Sequence, residues 1–235
     1  PEDDKEAVKW FRLAADQGVA KAQFNLGVMY FNGRGVPKDD KEAVKWYRLA
    51  ADQGVAKAQF NLGVMYFNGI GVPVDAKEAV KWNRLAAEQG HVIAQSTLGV
   101  MYDRGDGVPE DDKEAFKWYR LAAEQGQADA QYILGLKYDN GGSVPEDDKQ
   151  AVKWYRLAAE QGHAHAQYNL GLMYGEGEGV PEDYLLAYIW INFAGANGYD
   201  VSEAKEILAN LMTQADISKA QELTRQYIKD NPGVF

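Results

Sequence analysis

Pro37-Lys38-Asp39-Asp40-Lys41-Glu42-Ala43-Val44-Lys45-Trp46-Tyr47-Arg48-Leu49-Ala50-Ala51-Asp52-Gln53-Gly54 places Ala43, Trp46, Tyr47, Ala50 and Ala51 at i, i+3, i+4, i+7 and i+8. That spacing is the single apolar face of an amphipathic helix running from Asp39 to Gln53. Asp39 and Glu42 form an Asp-x-x-Glu start resembling a capping box, and Pro37 favours an extended entry. Gly54 is placed to take the left-handed conformation that ends a helix. Upstream, a first helix is expected from Ala20 to Phe31, with Ala22, Leu26, Gly27 and Tyr30 as its packing positions. Asn32-Gly33-Arg34-Gly35-Val36-Pro37 supplies the turn between the two helices.

The whole unit recurs. Prolines 1, 37, 73, 109, 145 and 181 and tryptophans 10, 46, 82, 118, 154 and 190 each keep a step of 36 residues. A fixed period of that size signals a stacked helical array. Residues 19–54 and 55–90 differ only at Arg34/Ile70, Lys38/Val74, Asp40/Ala76, Tyr47/Asn83 and Asp52/Glu88. The expected divisions are 1–18 (a second helix alone), repeats at 19–54, 55–90, 91–126 and 127–162, a divergent repeat at 163–198, and a capping region at 199–235. Further helices are expected at about Ser202–Met212 and Ser218–Lys229. No segment shows strand-like alternation. With residues 1–18 supplying only a second helix, the face of Ala7, Trp10, Phe11, Ala14 and Ala15 is expected to be partly uncovered and to drive concentration-dependent self-association.

Composition narrows the function classes. The chain has 235 residues, 46% hydrophobic and 26% charged, with a formal charge of -10. A field of that sign repels phosphate backbones, so nucleic acid is not an expected partner. No apolar run is long enough to insert in a bilayer. The absence of cysteine excludes disulfides, thiol catalysis and thiolate metal sites.

Leu26-Gly27-x-x-Tyr30 resembles the Leu-Gly-x-x-Tyr element of tetratricopeptide repeats. The fuller string, Ala-x-x-x-Leu-Gly-x-x-Tyr, then Gly-x-Gly-Val-Pro, then Ala-x-x-Trp-Tyr-x-x-Ala-Ala-x-x-Gly, resembles the Sel1-like repeat family over residues 1–198. The resemblance implies an all-α, right-handed superhelical solenoid of antiparallel helix pairs that acts as an adaptor holding other proteins. It also implies a bacterial protein and favours export or the cell envelope, with a cytoplasmic location left open.

In such hairpins the first helices line the concave surface. The positions turned to it are Lys21, Phe24, Val28 and Phe31; Lys57, Phe60, Val64 and Phe67; Ile93, Ser96, Val100 and Asp103; Asp129, Tyr132, Leu136 and Asp139; and His165, Tyr168, Leu172 and Gly175. Packing columns barely vary among the internal copies, whereas these columns do. Aromatic anchors on an open face suit a peptide with apolar anchors and mixed charge. The same aromatics could instead pack between neighbouring first helices and meet no ligand, leaving a structural spacer.

Catalytic and metal readings are weaker. His91, His163 and His165 lack ligand spacing, and Glu110-Asp111-Asp112 and Glu146-Asp147-Asp148 lack the calcium-loop order. Those acids read as helix caps. Gly175-Glu176-Gly177-Glu178-Gly179 lacks the Gly-Lys-Ser/Thr ending of a phosphate loop. Ser202-Glu203-Ala204-Lys205 matches Ser-x-x-Lys, and cysteine-rich Sel1-like proteins have been linked with penicillin binding. A penicillin-binding or cell-wall enzyme is therefore the alternative reading, although no Ser-Asp-Asn or Lys-Thr-Gly companion exists. Ser202 reads more simply as a helix cap. Lys41, Lys45 and Arg48 form a basic column expected to pair within the helix, as in Glu42–Lys45 and Arg48–Asp52. No cofactor and no metal are expected.

Overall fold

The computed structural model describes residues 2–234, so Pro1 and Phe235, the first proline of the period and the end of the tail, lie outside it. The described residues form thirteen helices and no strand. The chain divides within a helix into two compact units, Pro1–Trp118 and Tyr119–Phe235. The first holds α1 (Glu2–Asp16), α2 (Ala20–Asn32), α3 (Asp40–Asp52), α4 (Ala56–Asn68), α5 (Ala76–Glu88) and α6 (Val92–Arg104). The boundary falls in α7 (Asp112–Glu124). The second holds α8 (Ala128–Asp139), α9 (Asp148–Ala159), α10 (Ala164–Glu176), α11 (Tyr184–Ala196), α12 (Ser202–Leu211) and α13 (Gln214–Asp230). This is the all-α helical-repeat solenoid that the 36-residue period implies.

Each hairpin forms for reasons visible in its own residues. Ala43, Trp46, Tyr47, Ala50 and Ala51 are all buried, together with Val44. All but Trp46 meet Ala58, Leu62 and Met65 of the following first helix in one core cluster, while Trp46 packs with Val8, Ala15, Ala22, Leu26 and Met29 of the preceding helices. Burying each large apolar side chain contributes about 1.5–3 kcal/mol. Trp10 on α1, at 65% exposure, contrasts with 6% for Trp46.

Helix α3 starts where Asp39 Oδ1 accepts the backbone N–H groups of Lys41 and Glu42, both at 3.0 Å. The expected capping box is only half present. The Asp39 N–H donates to the Tyr30 carbonyl, closing the hairpin, and Glu42 pairs with Lys45 at 3.4 Å. Gly54 has φ +85°, as its terminating role requires. Arg48 also departs from expectation: its guanidinium lies 5.4 Å from the centre of the Tyr66 ring, one layer on.

Two devices join successive layers, one polar and one steric. Gln23 is buried, donating from Nε2 to the Ala15 carbonyl at 3.1 Å and accepting Gln53 Nε2 at 2.6 Å. Gln59 repeats this with Ala51 and Gln89, and Gln131 with Ala123 and Gln161. The second device is the second glycine of the turn. A Cβ on Gly35 would stand 2.3 Å from the Asp4 carbonyl oxygen, and one on Gly71 2.3 Å from that of Asp40. The turn of one hairpin thus rests on the first turn of the preceding second helix.

In the second unit α13 begins at Gln214, four residues before the expected Ser218, because Thr213 caps it by accepting the Asp216 N–H. Ser202 is not the cap of α12. Its backbone N–H and its hydroxyl both donate to Asp200 Oδ1, and the cap position is Val201, which makes no side-chain cap bond.

Candidate first-helix recognition face

Because Ala22, Leu26, Gly27 and Met29 turn inward on α2, the intervening positions are left on its outer side. In the first unit Lys21 and Lys57 are exposed, and Phe24, Val28, Phe31, Phe60, Val64, Ser96, Val100 and Asp103 are half-buried. Phe67 and Ile93 are exposed apolar groups, at 41% and 53%. Some rings also lean on neighbours. Phe24 lies 5.8 Å from Tyr47, Phe60 stacks on His91 at 4.9 Å, and the Lys38 ammonium sits 5.5 Å from the Phe31 centre. Packing and access therefore coexist at these positions.

In the second unit Asp129 and His165 are exposed, and Tyr132, Leu136, Asp139, Tyr168, Leu172 and Gly175 are half-buried. Tyr132 stacks on His163 at 4.6 Å, and Tyr168 lies 4.5 Å from Tyr199. Asp139 accepts the Tyr155 hydroxyl at 2.9 Å, so part of its capacity is spent inside the unit. Leu172 and Gly175 open onto a cleft of about 330 Å³, walled by Ile207, Leu208 and Leu211 and edged by Glu176 and Glu203. Burial, then Tyr199 and the carboxylates of Glu203, Asp200 and Glu176, push the Tyr168 phenol above its ordinary 10.0.

His91 and His163 have a role that spacing did not reveal. Each is the N-cap of a first helix, its Nδ1 accepting the N–H of Ala94 or Ala166 at 3.2 Å. Protonation removes that acceptor. Burial, aided by Lys57, holds His91 below 6.5. Burial and His165 lower His163 against the opposing pull of Asp129. Both groups bind a proton less readily folded than unfolded. Their contribution to stability is complete above pH 6.5 and is lost as pH falls through the lowered folded values. Thermal melts should therefore show a larger drop between pH 7.5 and 5 in the native chain than in the His91→Asn/His163→Asn variant, where asparagine caps without titrating.

Among the described residues no group of three His, Asp or Glu side chains is placed to hold a metal ion. The Ser202 hydroxyl is bound to Asp200, while the Lys205 ammonium lies 5.5 Å from the Tyr188 ring centre, so the Ser-x-x-Lys pair is not joined. Among the described residues no helix is long and apolar enough to cross a membrane.

A Sel1 repeat model matches residues 1–19, 20–55, 56–91, 92–127, 128–163 and 164–199. Among solved structures, the chain is similar to a Sel1 repeat protein from Oxalobacter formigenes, with 39% identity and a TM-score of 0.73, over 87% of this chain and 59% of that one. It is also similar to c5321, a protective antigen present in uropathogenic Escherichia coli strains and displaying an SLR fold. There the identity is 31% and the TM-score 0.64, over 96% of this chain and 56% of that one. The chain thus spans less than two thirds of the length of either relative. No curated protein sequence matches it.

Proposed function

The chain belongs to the Sel1 repeat family, whose members are generally protein-interaction scaffolds and typically non-enzymatic, and from that premise we propose that it holds a protein or peptide partner on its first-helix face without catalysis. The observation that carries this reading is the pair of exposed apolar side chains, Phe67 and Ile93, on the face that also holds the half-buried Phe31, Val64 and Val100. Large apolar groups kept in water beside a lined groove are the usual anchors of binding energy. The mechanism is display by a preorganised surface. Rings such as Phe60, already stacked on His91, lose little freedom when a partner arrives.

A pull-down from lysate of the source organism, comparing the native chain with Phe67→Ser/Ile93→Ser, tests it. Both side chains are exposed, so the variant should keep its helical circular dichroism and melting temperature. A protein retained by the native chain and lost by the variant is the expected result. Equal retention by both would move the partner off this face.

A further inference from the structure

One register of the second-helix core holds a buried tyrosine in three hairpins, Tyr47, Tyr119 and Tyr155, and Asn83 in α5. The setting recurs at Tyr47 and Tyr155, whereas in the helix after Tyr119 the position of Asn61 is Ile133. A Cβ on Gly27 would stand 2.7 Å from the Tyr47 ring, and the Tyr47 hydroxyl bonds Asn61 of the next first helix. Tyr155 likewise lies on Gly135 and bonds Asn169 and Asp139. In the layer of Asn83 the residue corresponding to Asn61 is Thr97, so both ring and hydroxyl partner have changed together.

The change opens the face. Where Tyr47 stands, the cleft it shares with Phe31, Asn61 and Val64 measures about 160 Å³. One layer on, the corresponding cleft, with Phe67, Asn83, Thr97 and Val100, measures about 300 Å³. Asn83 lines it and carries an unused acceptor that is covered from solvent in the free chain. Asn83 is 1% exposed, and its Nδ2 donates to the Ala79 carbonyl at 2.9 Å, while Oδ1 is buried with no partner. A buried amide oxygen without a donor is destabilising, and a ligand that brings one relieves it.

We propose that this cleft takes the side chain of a tyrosine presented by the partner polypeptide, its ring between Phe67 and Val100 and its hydroxyl donating to Asn83 Oδ1, which the Asn83 amide turns out from its cover to meet. The ligand refills the place that Tyr47 and Tyr155 occupy in their own layers. A phenylalanine would fill the volume but leave the oxygen unpaired, and a carboxylate would meet it acceptor to acceptor. Arg104 and Asp106, both lining the cleft, carry opposite charge and favour a neutral group. This inference rests on the first-helix face being the recognition surface and names one residue that the partner brings to it.

The test is a titration of the full chain with N-acetyl-tyrosinamide, N-acetyl-phenylalaninamide and p-cresol, followed by amide NMR. The expected result is saturable tyrosinamide binding, with a dissociation constant on the order of 1 mM for so small a probe. It should shift the Asn83 side-chain amide and the Thr97 and Val100 signals, with phenylalaninamide at least about tenfold weaker. Asn83→Tyr should melt above the native chain and no longer bind, since its own ring fills the cleft as at Tyr47. Asn83→Leu should erase the preference for tyrosine over phenylalanine.

Equal affinity for the two amides in the native chain, binding that survives Asn83→Tyr, or no saturation would overturn the proposal. So would p-cresol binding more tightly than tyrosinamide, which would make the cleft a site for free phenols. Failure of the titration while partner retention still depends on Phe67 and Ile93 would sink the tyrosine pocket alone. Tyrosinamide binding with a partner retained by the Phe67→Ser/Ile93→Ser variant would leave a tyrosine-selective cleft but remove both the wider reading and the partner as the source of the tyrosine.

Discussion

Replacing Gly71 with alanine should lower the melting temperature by about 6–12 °C, corresponding to roughly 3 kcal/mol for a chain of this size. Two costs add. Gly71 has φ +70°, where a Cβ costs about 1–2 kcal/mol. The new methyl would also stand 2.3 Å from the Asp40 carbonyl oxygen and 2.5 Å from its carbon. Backbone at the start of a helix cannot rotate away as a side-chain end can, so the layers themselves must part. Gly54→Ala isolates the first cost, because Gly54 has φ +85° and nothing within 4 Å of its Cβ position. Its loss should stay near 1–2 kcal/mol. Equal losses from the two substitutions, read by thermal or urea unfolding, would mean that the turn does not brace the stack.

The second large effect is expected inside a helix. Gly135→Ala on α8 improves helix propensity by about 1 kcal/mol, so an exposed site would gain. Here the methyl would lie 2.3 Å from Tyr155 Cδ1. That ring is fully buried and tied through its hydroxyl to Asp139 at 2.9 Å, leaving it no direction in which to move. The clash should prevail, with a net loss of about 2–3 kcal/mol. Gly175→Ala is the matched opposite. Its nearest neighbours would be Leu208 at 3.6 Å and Ala187 at 3.7 Å, ordinary contacts, so the variant should be neutral or up to about 1 kcal/mol more stable. The urea midpoint of Gly135→Ala should fall below the native value and that of Gly175→Ala at or above it.

These contrasts show which information one strand of residues carries. The face of Ala43, Trp46, Tyr47, Ala50 and Ala51 was readable because a 3.6-residue helix puts those positions together whatever the neighbours. The aspartate caps were readable because their partners lie two and three residues away. The bracing by Gly35 and Gly71 was not, since each meets backbone 31 residues earlier in the chain. Buried Gln23 escaped notice because a polar residue in a core column makes sense only once the Ala15 carbonyl and the Gln53 amide converge on it. Its one signal was recurrence at Gln59, Gln95, Gln131 and Gln167.

The recognition face was legible as positions and not as environments. Counting from Leu26-Gly27-x-x-Tyr30 picks out Phe24, Phe60, Tyr132 and Tyr168, yet the rings turn out to rest on Tyr47, His91, His163 and Tyr199 respectively. Of the positions so counted, Phe67 and Ile93 are the apolar groups that stay exposed. The Tyr47/Asn83 difference stood in plain view among the few changes between residues 19–54 and 55–90. Its consequence, a wider cleft with an unpaired oxygen, needs the neighbouring layer to be in place.

The most direct test of a partner on the first-helix face is paired photo-crosslinking in the source organism. A photoreactive phenylalanine analogue replaces Phe67 on that face in one strain and Leu85, exposed on second helix α5, in another. A crosslinked adduct of one defined mass from position 67, absent from position 85, is the predicted result. An adduct from position 85 with none from position 67 would contradict the assignment and place the partner on the second helices.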